Sequence, residues 1–361
     1  MGYRKYFILY PFSLLYRLIT DIRNFLYDTG FLSSREFDIP VICVGNITMG
    51  GTGKTPHTEY LIDLLRRKYR VAVLSRGYKR ESHGFRLASA SSTASDIGDE
   101  PLQIFQKFPE ILVAVDGDRV NGVSKLIKDH PETEIIVMDD GFQHRSIKPG
   151  LSILLTDYGR LITRDHLIPY GRLRESAKNS MRAGIIIVTK SAEDIAETEI
   201  KDISTELRLY SEQNLFFTTV LYKDPVPLFE DSSSRKLIMS DEDRHSRGAV
   251  LITGISSPQP FLRYLSRYFS EIDHIDLPDH HCFNERDIKV INDSWNNLKS
   301  SSKYIITTEK DAVRLREFAN ITNSLNGSIY YIPVSVNFLN NGKYSFDNLI
   351  FDYVGKNKGN S

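Results

Sequence analysis

The residues able to do chemistry gather at a few points of the 361-residue sequence. Lys54 and Thr55 stand behind Gly50, Gly51, Thr52 and Gly53; the acids Asp139 and Asp140 are adjacent; Asp99 follows Gly98; and His280, His281 and Cys282 form a run. A lysine and a hydroxyl directly after a glycine-rich turn suit a nucleoside triphosphate. Glycines let successive N–H groups turn toward an anion at the start of a helix, the Lys54 ammonium reaches the β- and γ-phosphates, and the Thr55 hydroxyl holds Mg²⁺. In the pattern G-x-x-x-x-G-K-[ST] the first glycine would fall at Thr48, so this is a variant loop; a glycine-rich turn with no ligand is the plainer alternative.

The other chemical groups are each ambiguous alone. An apolar run at 135–138 ending in Asp139 and Asp140 places carboxylates at a strand tip, where they can hold Mg²⁺ or its water, although turns also favour aspartate. Asp99 precedes a helix beginning near Glu100, so it is either a helix cap or a carboxylate base on a loop; from the residues alone the cap is the simpler reading. Arg76 and Tyr78, in the cluster Ser75-Arg76-Gly77-Tyr78-Lys79-Arg80, suit an anionic head group or a solvated loop equally. Asp118-Arg119 and Arg172-Leu173-Arg174-Glu175 are charged clusters expected on loops. Consecutive His, His and Cys rarely converge on one tetrahedral ion, and no partner pair exists elsewhere. His280 is better suited to orient an acid across a cleft.

The elements that must position these groups follow from hydrophobic runs. Short β-branched or leucine-rich stretches at 41–44, 71–74, 111–115, 135–138, 151–155 and 185–188, separated by helix-length segments such as 57–68, predict a parallel sheet covered on both faces, with ligands at the carboxyl ends of its strands. The Ala/Ser/Thr-rich stretch 87–95 reads as a mobile excursion. Extended stretches at 215–222 and 329–338 read as paired strands bracketing a smaller α/β unit, with strands at 249–253, 271–275 and 304–307 and helices at 259–268 and 284–298. The expected organisation is an amphipathic segment 1–32, a nucleotide-binding and catalytic domain 33–214, a smaller domain with linker strands 215–338 and a C-terminal segment 339–361.

Composition narrows the class. Charged residues make up 25% and hydrophobic residues 41%, as in an ordinary globular protein. Lys plus Arg and Asp plus Glu both number 46, so no basic field argues for nucleic acid. Two cysteines, Cys43 and Cys282, fit a reducing compartment. The longest uncharged run near the start, 6–16, is eleven residues, well short of the ~18 needed to cross a bilayer. Arranged as a helix, Ser13, Arg17, Thr20, Asp21, Asn24 and Asp28 fall on one side and Phe7, Leu14, Leu15, Leu18, Ile22 and Phe25 on the rest. Such a helix lies in a membrane interface or packs on its own domain.

Taken together, GGTGKTP at 50–56, SRGYxR at 75–80, GDEP at 98–101, DDGFQHR at 139–145, GRLRE at 171–175 and PDHH at 278–281 resemble the tetraacyldisaccharide 4'-kinase family of the lipid A pathway over nearly the whole chain. The resemblance implies an α/β fold: a P-loop NTPase-type parallel sheet domain, a second, smaller α/β domain joined by a two-stranded linker, and an amphipathic N-terminal helix. It implies transfer of the γ-phosphoryl group of ATP, with Mg²⁺, to the 4'-hydroxyl of a tetraacylated glucosamine disaccharide 1-phosphate. The setting it implies is peripheral, at the cytoplasmic face of the bacterial inner membrane, and no nucleic acid or protein partner is implied. Carried over by position, Lys54 and Thr55 serve the phosphates and Mg²⁺, Asp99 is the base and His280 its partner. Asp139, Asp140, Gln143 and Glu175 surround Mg²⁺ and the reacting groups; Arg76, Tyr78 and Arg119 are the expected substrate contacts. Ser176, where a proline is usual, and the turn Gly254-Ile255-Ser256-Ser257-Pro258, less glycine-rich than usual, depart from the pattern. A membrane-associated switch ATPase would need a lysine where Met49 stands. A GTPase would use Thr189-Lys190 as a base-reading motif, but lacks the asparagine. A plain lipid-binding module leaves the phosphate loop unexplained.

Overall fold

The computed structural model describes residues 8–229, 237–318 and 329–358. In chain order come α1 (Tyr10–Asp28), β1 (Val41–Gly45), α2 (Lys54–Leu65), β2 (Val71–Ser75), β3 (Arg86–Leu87), α3 (Ala94–Ile97), α4 (Asp99–Lys107), β4 (Leu112–Val115), α5 (Arg119–Asp129), β5 (Ile135–Asp139), β6 (Leu151–Asp157), β7 (Ile185–Thr189), α6 (Glu197–Leu207) and β8 (Asn214–Tyr222). Seven strands run parallel in the order β8-β7-β6-β1-β5-β2-β4, and β3 pairs antiparallel at one edge. Continuous apolar runs make such strands because side chains alternate between two buried faces. Cys43 joins Ala72, Leu74, Ile136 and Met138 in one core, while Ile42 and Val44 join Val71, Val73, Ile135 and Val137 in the other.

The stretch 87–95 is more ordered than its composition suggests. Leu87 belongs to β3, and α3 starts from a capping box in which Thr93 and Asp96 satisfy each other's backbone N–H groups.

Beyond β8 the chain builds a second sheet from β9 (Val226–Pro227), β10 (Arg247–Thr253), α7 (Gln259–Leu265), β11 (Glu271–Asp276), α8 (Glu285–Asn297), β12 (Ser302–Thr308), α9 (Glu309–Glu317) and β13 (Ile329–Ile332), in the order β11-β10-β12-β13-β9. It returns through β14 (Val334–Phe338), which pairs antiparallel with β8 at the far edge of the first sheet, and ends in α10 (Gly342–Lys358). The stretch 329–338, expected as one strand, is two. Pro333, which has no N–H for a ladder, separates β13 in the second sheet from β14 in the first. α10 is not a loose end: Phe346, Ile350 and Val354, at helical spacing, enter the core beneath β8 and β14.

α9 packs antiparallel on α4 and joins the lobes. Lys107 near the end of α4 meets Glu309 at the start of α9 at 2.9 Å, and Asp99 at the start of α4 meets Arg314 late in α9.

At the root of α2, buried His57 ties the phosphate loop to β8. Its Nδ1–H donates to the Gly53 carbonyl at 2.7 Å and its Nε2 accepts from the Thr218 hydroxyl at 3.0 Å. Burial pushes the imidazole pKa down to about 4. The unfolded chain therefore takes up a proton between about pH 6.5 and 4 that the native ring refuses, and stability falls with pH by about 3 kcal/mol from this group. Half-buried His144, also lowered to about 4 by desolvation and the charge of Arg119, adds a loss of the same sign. In His57→Gln the fall in unfolding free energy between pH 6.5 and 4, followed by urea titration, becomes shallower by close to one proton; an unchanged slope would show that His57 is not neutral and enclosed.

Candidate active site

The turn between β1 and α2 is held from behind by its carbonyls. The Thr189 hydroxyl donates to the Thr52 carbonyl at 2.9 Å, and Lys190, anchored on Asp157 at 2.8 Å, donates to the Gly51 carbonyl. Asn46 Nδ2 donates to Thr52 Oγ1 at 2.7 Å. With carbonyls engaged on the sheet side, Gly53, in the left-handed region at φ 82°, turns the chain into α2, where Lys54 and Thr55 begin the helix. Thr48 answers the missing first glycine: buried, it bridges Leu173, while the Met49 N–H donates to the Arg172 carbonyl at 2.7 Å. From the second lobe, Ser256 Oγ accepts the Gly51 N–H at 3.3 Å.

Asp139 closes β5, fully buried. Thr58, one turn after Thr55 on α2, donates to its Oδ1 at 2.8 Å, and its Oδ2 has no partner among the described residues. Burial, with the negative charges of Glu100 and Asp140, pushes its carboxyl well above the ordinary range. Asp140 lies 3.7 Å from the Lys54 ammonium and 3.8 Å from Arg174. Gln143 Nε2 donates to the Asn46 carbonyl at 3.1 Å, and its Oε1 accepts from Arg174 at 3.1 Å. Glu175 Oε2 accepts from Arg182 at 2.6 Å and from Asn24 and Asn179 at 3.1 Å each, leaving Oε1 buried and without a partner among the described residues.

Among the described residues no group of three or more His, Cys, Asp or Glu is gathered as a metal cage. That donor set suits Mg²⁺, which keeps several waters and is held by one or two carboxylates together with substrate phosphates. The unspent oxygen of Asp139, beside the helix face that carries Thr55, fits such an ion.

Asp99 is not a cap. α4 starts from Gly98, whose φ of 92° favours glycine, with no side-chain cap, and Asp99 turns toward the second lobe. His280 Nδ1 lies 2.6 Å from Asp99 Oδ2, and Arg314 Nε donates to Oδ1 at 2.5 Å. The carboxylate is 2% exposed. Burial alone would raise its pKa, but the hydrogen bonds from His280 and Arg314, and the charge of Arg314, hold it below the ordinary value. Glu100, the next residue, is near enough to Asp139 to act on its ionisation, so the acid and the phosphate loop share one region.

On the substrate side, Arg76 is exposed, and Tyr78 stands edge-on to His280 with centroids 5.3 Å apart. Asp118-Arg119, expected on a loop, starts a helix instead, with Asp118 capping α5 through the Val120 and Asn121 N–H groups. Arg119, the first residue of that helix, is completely enclosed. It donates to the Asp116 carbonyl, its Nε and a second terminal nitrogen have no partner among the described residues, and burial pulls its pKa down to about 10, still charged.

Sequence reasoning missed Asn46, His57, Ser256 and Arg314 as parts of this site. It weighed Thr189 and Lys190 for reading a guanine base, but they brace the loop backbone. A hydroxyl and an ammonium at a strand tip beside a phosphate loop were the available signal.

Fold and site define a P-loop α/β protein of the ATP-using phosphotransferase class. A family model described as tetraacyldisaccharide-1-P 4'-kinase matches residues 5–352. A tetraacyldisaccharide 4'-kinase of Bacteroides thetaiotaomicron is 46% identical over 360 residues, covering 98% of this chain and 94% of that protein. One from Phocaeicola vulgatus is 47% identical over 355 residues, covering 98% and 96%. The crystal structure of LpxK from Aquifex aeolicus in complex with ATP is similar at a TM-score of 0.72 and 26% identity, over 95% of this chain and 98% of that one. The chain belongs to the tetraacyldisaccharide-1-P 4'-kinase family.

The Arg182–Glu175 pair offers a test of the loop that flanks the phosphate turn. Arg182→Met strands a buried carboxylate, and chemical denaturation should show a loss of about 3 kcal/mol. Wild-type stability in that variant would mean that the pair is not formed.

Proposed function

We propose that this chain transfers the γ-phosphoryl group of ATP to the 4'-hydroxyl of a tetraacyl glucosamine disaccharide 1-phosphate, giving the 1,4'-bisphosphate, at the cytoplasmic face of a bacterial inner membrane. The observation that carries this reading is the Asp99–His280 contact between lobes, at the edge of the region that holds the phosphate loop. Family membership supports the substrate.

Phosphoryl transfer has a loose transition state, so the protein contributes positioning and charge. Lys54 and the N–H groups at the start of α2 neutralise the phosphates, and Asp140 steadies Lys54. Thr55 and Asp139, with Gln143 and Glu175 on the adjoining loops, would hold Mg²⁺, which supplies further positive charge to the phosphates when bound. Asp99 takes the proton of the sugar hydroxyl as the oxygen–phosphorus bond forms and the bond from the γ-phosphorus to the bridging oxygen breaks. Each Asp99 oxygen accepts one protein hydrogen bond and keeps a second lone pair for that proton. Arg76 and Tyr78 meet the anionic head group.

The N-terminal helix supports a membrane setting because it is inside out. Its polar residues face the protein: Ser13 donates to the Leu167 carbonyl at 2.9 Å, Tyr16 to the Arg174 carbonyl at 3.0 Å and Asn24 to Glu175. Phe12, Leu15, Leu18, Ile19, Ile22 and Phe25 are exposed. No helix among the described residues is long and apolar enough to cross a membrane, so α1 would lie in the interface.

Incubation with γ-labelled ATP and the disaccharide lipid should move the label to the lipid; hydrolysis with no labelled lipid would overturn the reading. Asp99→Asn should reduce kcat by roughly 10²–10⁴ with the KM for ATP little changed, and undiminished turnover would remove Asp99 as the base. Leu18→Asp with Ile22→Asp should abolish co-sedimentation with anionic vesicles while leaving the melting temperature intact, since both side chains already face water. Continued sedimentation would place the membrane contact elsewhere.

A further inference from the structure

α9 brings a second pair of side chains to the Asp99–His280 contact. Lys310 and Arg314 are four residues apart and so lie one above the other on one helix face. Arg314 Nε meets Asp99 Oδ1 at 2.5 Å, and its NH1 donates to Cys282 Sγ at 2.7 Å. Lys310 Nζ lies 3.2 Å from His280 Nε2, the ring nitrogen turned away from Asp99, and 2.8 Å from Asp279 Oδ1. Glu100 Oε1 is 3.9 Å from the same ammonium.

An ammonium has three donors and no lone pair, so the nitrogen it faces must supply the lone pair. The hydrogen of a neutral ring then sits on Nδ1 and points at Asp99. There is a competitor for the other arrangement: Asp279 Oδ1 is only 3.7 Å from Nε2 and would accept a hydrogen there. Lys310 stands between the two. We propose that Lys310 is a positioning residue for the Asp99–His280 pair: it keeps the hydrogen of the His280 ring on Nδ1, facing Asp99, while Arg314, one turn along α9, fixes the other oxygen of the carboxylate. Without Lys310, the Asp279 carboxylate would be the group facing Nε2 and would draw the ring hydrogen there, leaving Nδ1 with none for Asp99. The ammonium is well placed to stay charged, because the carboxylates of Glu100 and Asp279 more than offset the lowering that burial imposes on its pKa.

The inference rests on Asp99 as the base, and its test separates the two. In full-length protein labelled with ¹⁵N-histidine, with the His280 signals assigned by their loss in His280→Gln, the wild type should show a protonated Nδ1 and an unprotonated Nε2. Lys310→Met should convert Nε2 to a protonated nitrogen and lower kcat roughly tenfold to a hundredfold, as loss of an orienting outer partner does elsewhere, with the KM for ATP unchanged. Lys310→Arg, which keeps a cationic donor, should restore the wild-type ring pattern and most of the turnover. A ring pattern unchanged in Lys310→Met, or a wild type already protonated on Nε2, overturns the inference whatever Asp99 does. If the pattern shifts as expected but Asp99→Asn turns over normally, the base assignment falls and the hold of Lys310 on the ring remains.

Discussion

A carboxylate almost sealed from water stays ionised only if donors reach it, and Asp99 finds both of its donors on the other side of the cleft. His280 and Arg314 each take one oxygen, at 2.6 and 2.5 Å. Removing one partner of such a buried group leaves a charge uncompensated, so the acid constrains the lobes as much as the lobes position the acid. The antiparallel packing of α9 on α4 extends that constraint. Lys107 near the end of α4 sits between Glu59 on α2 and Glu309 at the start of α9. Because α2 begins with Lys54 and α4 begins with Asp99, one ionic chain couples the phosphate turn, the acid and the second sheet.

The phosphate turn obeys the same logic from the opposite side. A loop that offers N–H groups to an anion must satisfy its carbonyls elsewhere, since buried backbone acceptors are costly to leave unpaired. Here the tip of β7 satisfies two of them, through the Thr189 hydroxyl and the Lys190 ammonium. His57 satisfies a third from within α2. The contact of the Gly51 N–H with the Ser256 hydroxyl comes from the second lobe.

Much of this was legible in the sequence, for reasons that can be stated. Val41-Ile42-Cys43-Val44 and its neighbours have no polar alternation, which only a strand buried on both faces tolerates, and the parallel sheet follows. The phosphate turn was legible because glycine, lysine and threonine are tied to one backbone geometry. What escaped were choices made by tertiary packing. Asp99 looks like a cap because aspartate before a helix usually is one, and only the approach of α9, more than two hundred residues later, turns it away. Arg119 looks solvent-facing because arginine usually is; Asp139 and Asp140 are the carboxylates whose charge it feels in its enclosure. Pro333 was visible as a residue with no N–H, yet its effect depended on there being two sheets to divide between.

The inverted burial of α1 ties the surface of the molecule to its chemistry. Its inward side chains contact residues 143, 167 and 174–175, and Gln143 and Arg174 also touch the backbone beside β1 and the carboxylate Asp140. A helix laid in a lipid interface by its exposed phenylalanines and leucines would therefore hold the loops flanking the phosphate turn at a fixed depth. An acceptor whose acyl chains stay in the bilayer has a sugar confined to a thin layer above it. On the proposed reading, restricting both partners to that layer would remove translational freedom before the reaction begins and so lower the cost of bringing a hydroxyl up to Asp99. Polar anchoring on the inside and apolar exposure on the outside would then be two halves of one proposed requirement, because a helix buried by its apolar face could not hold the site against a membrane.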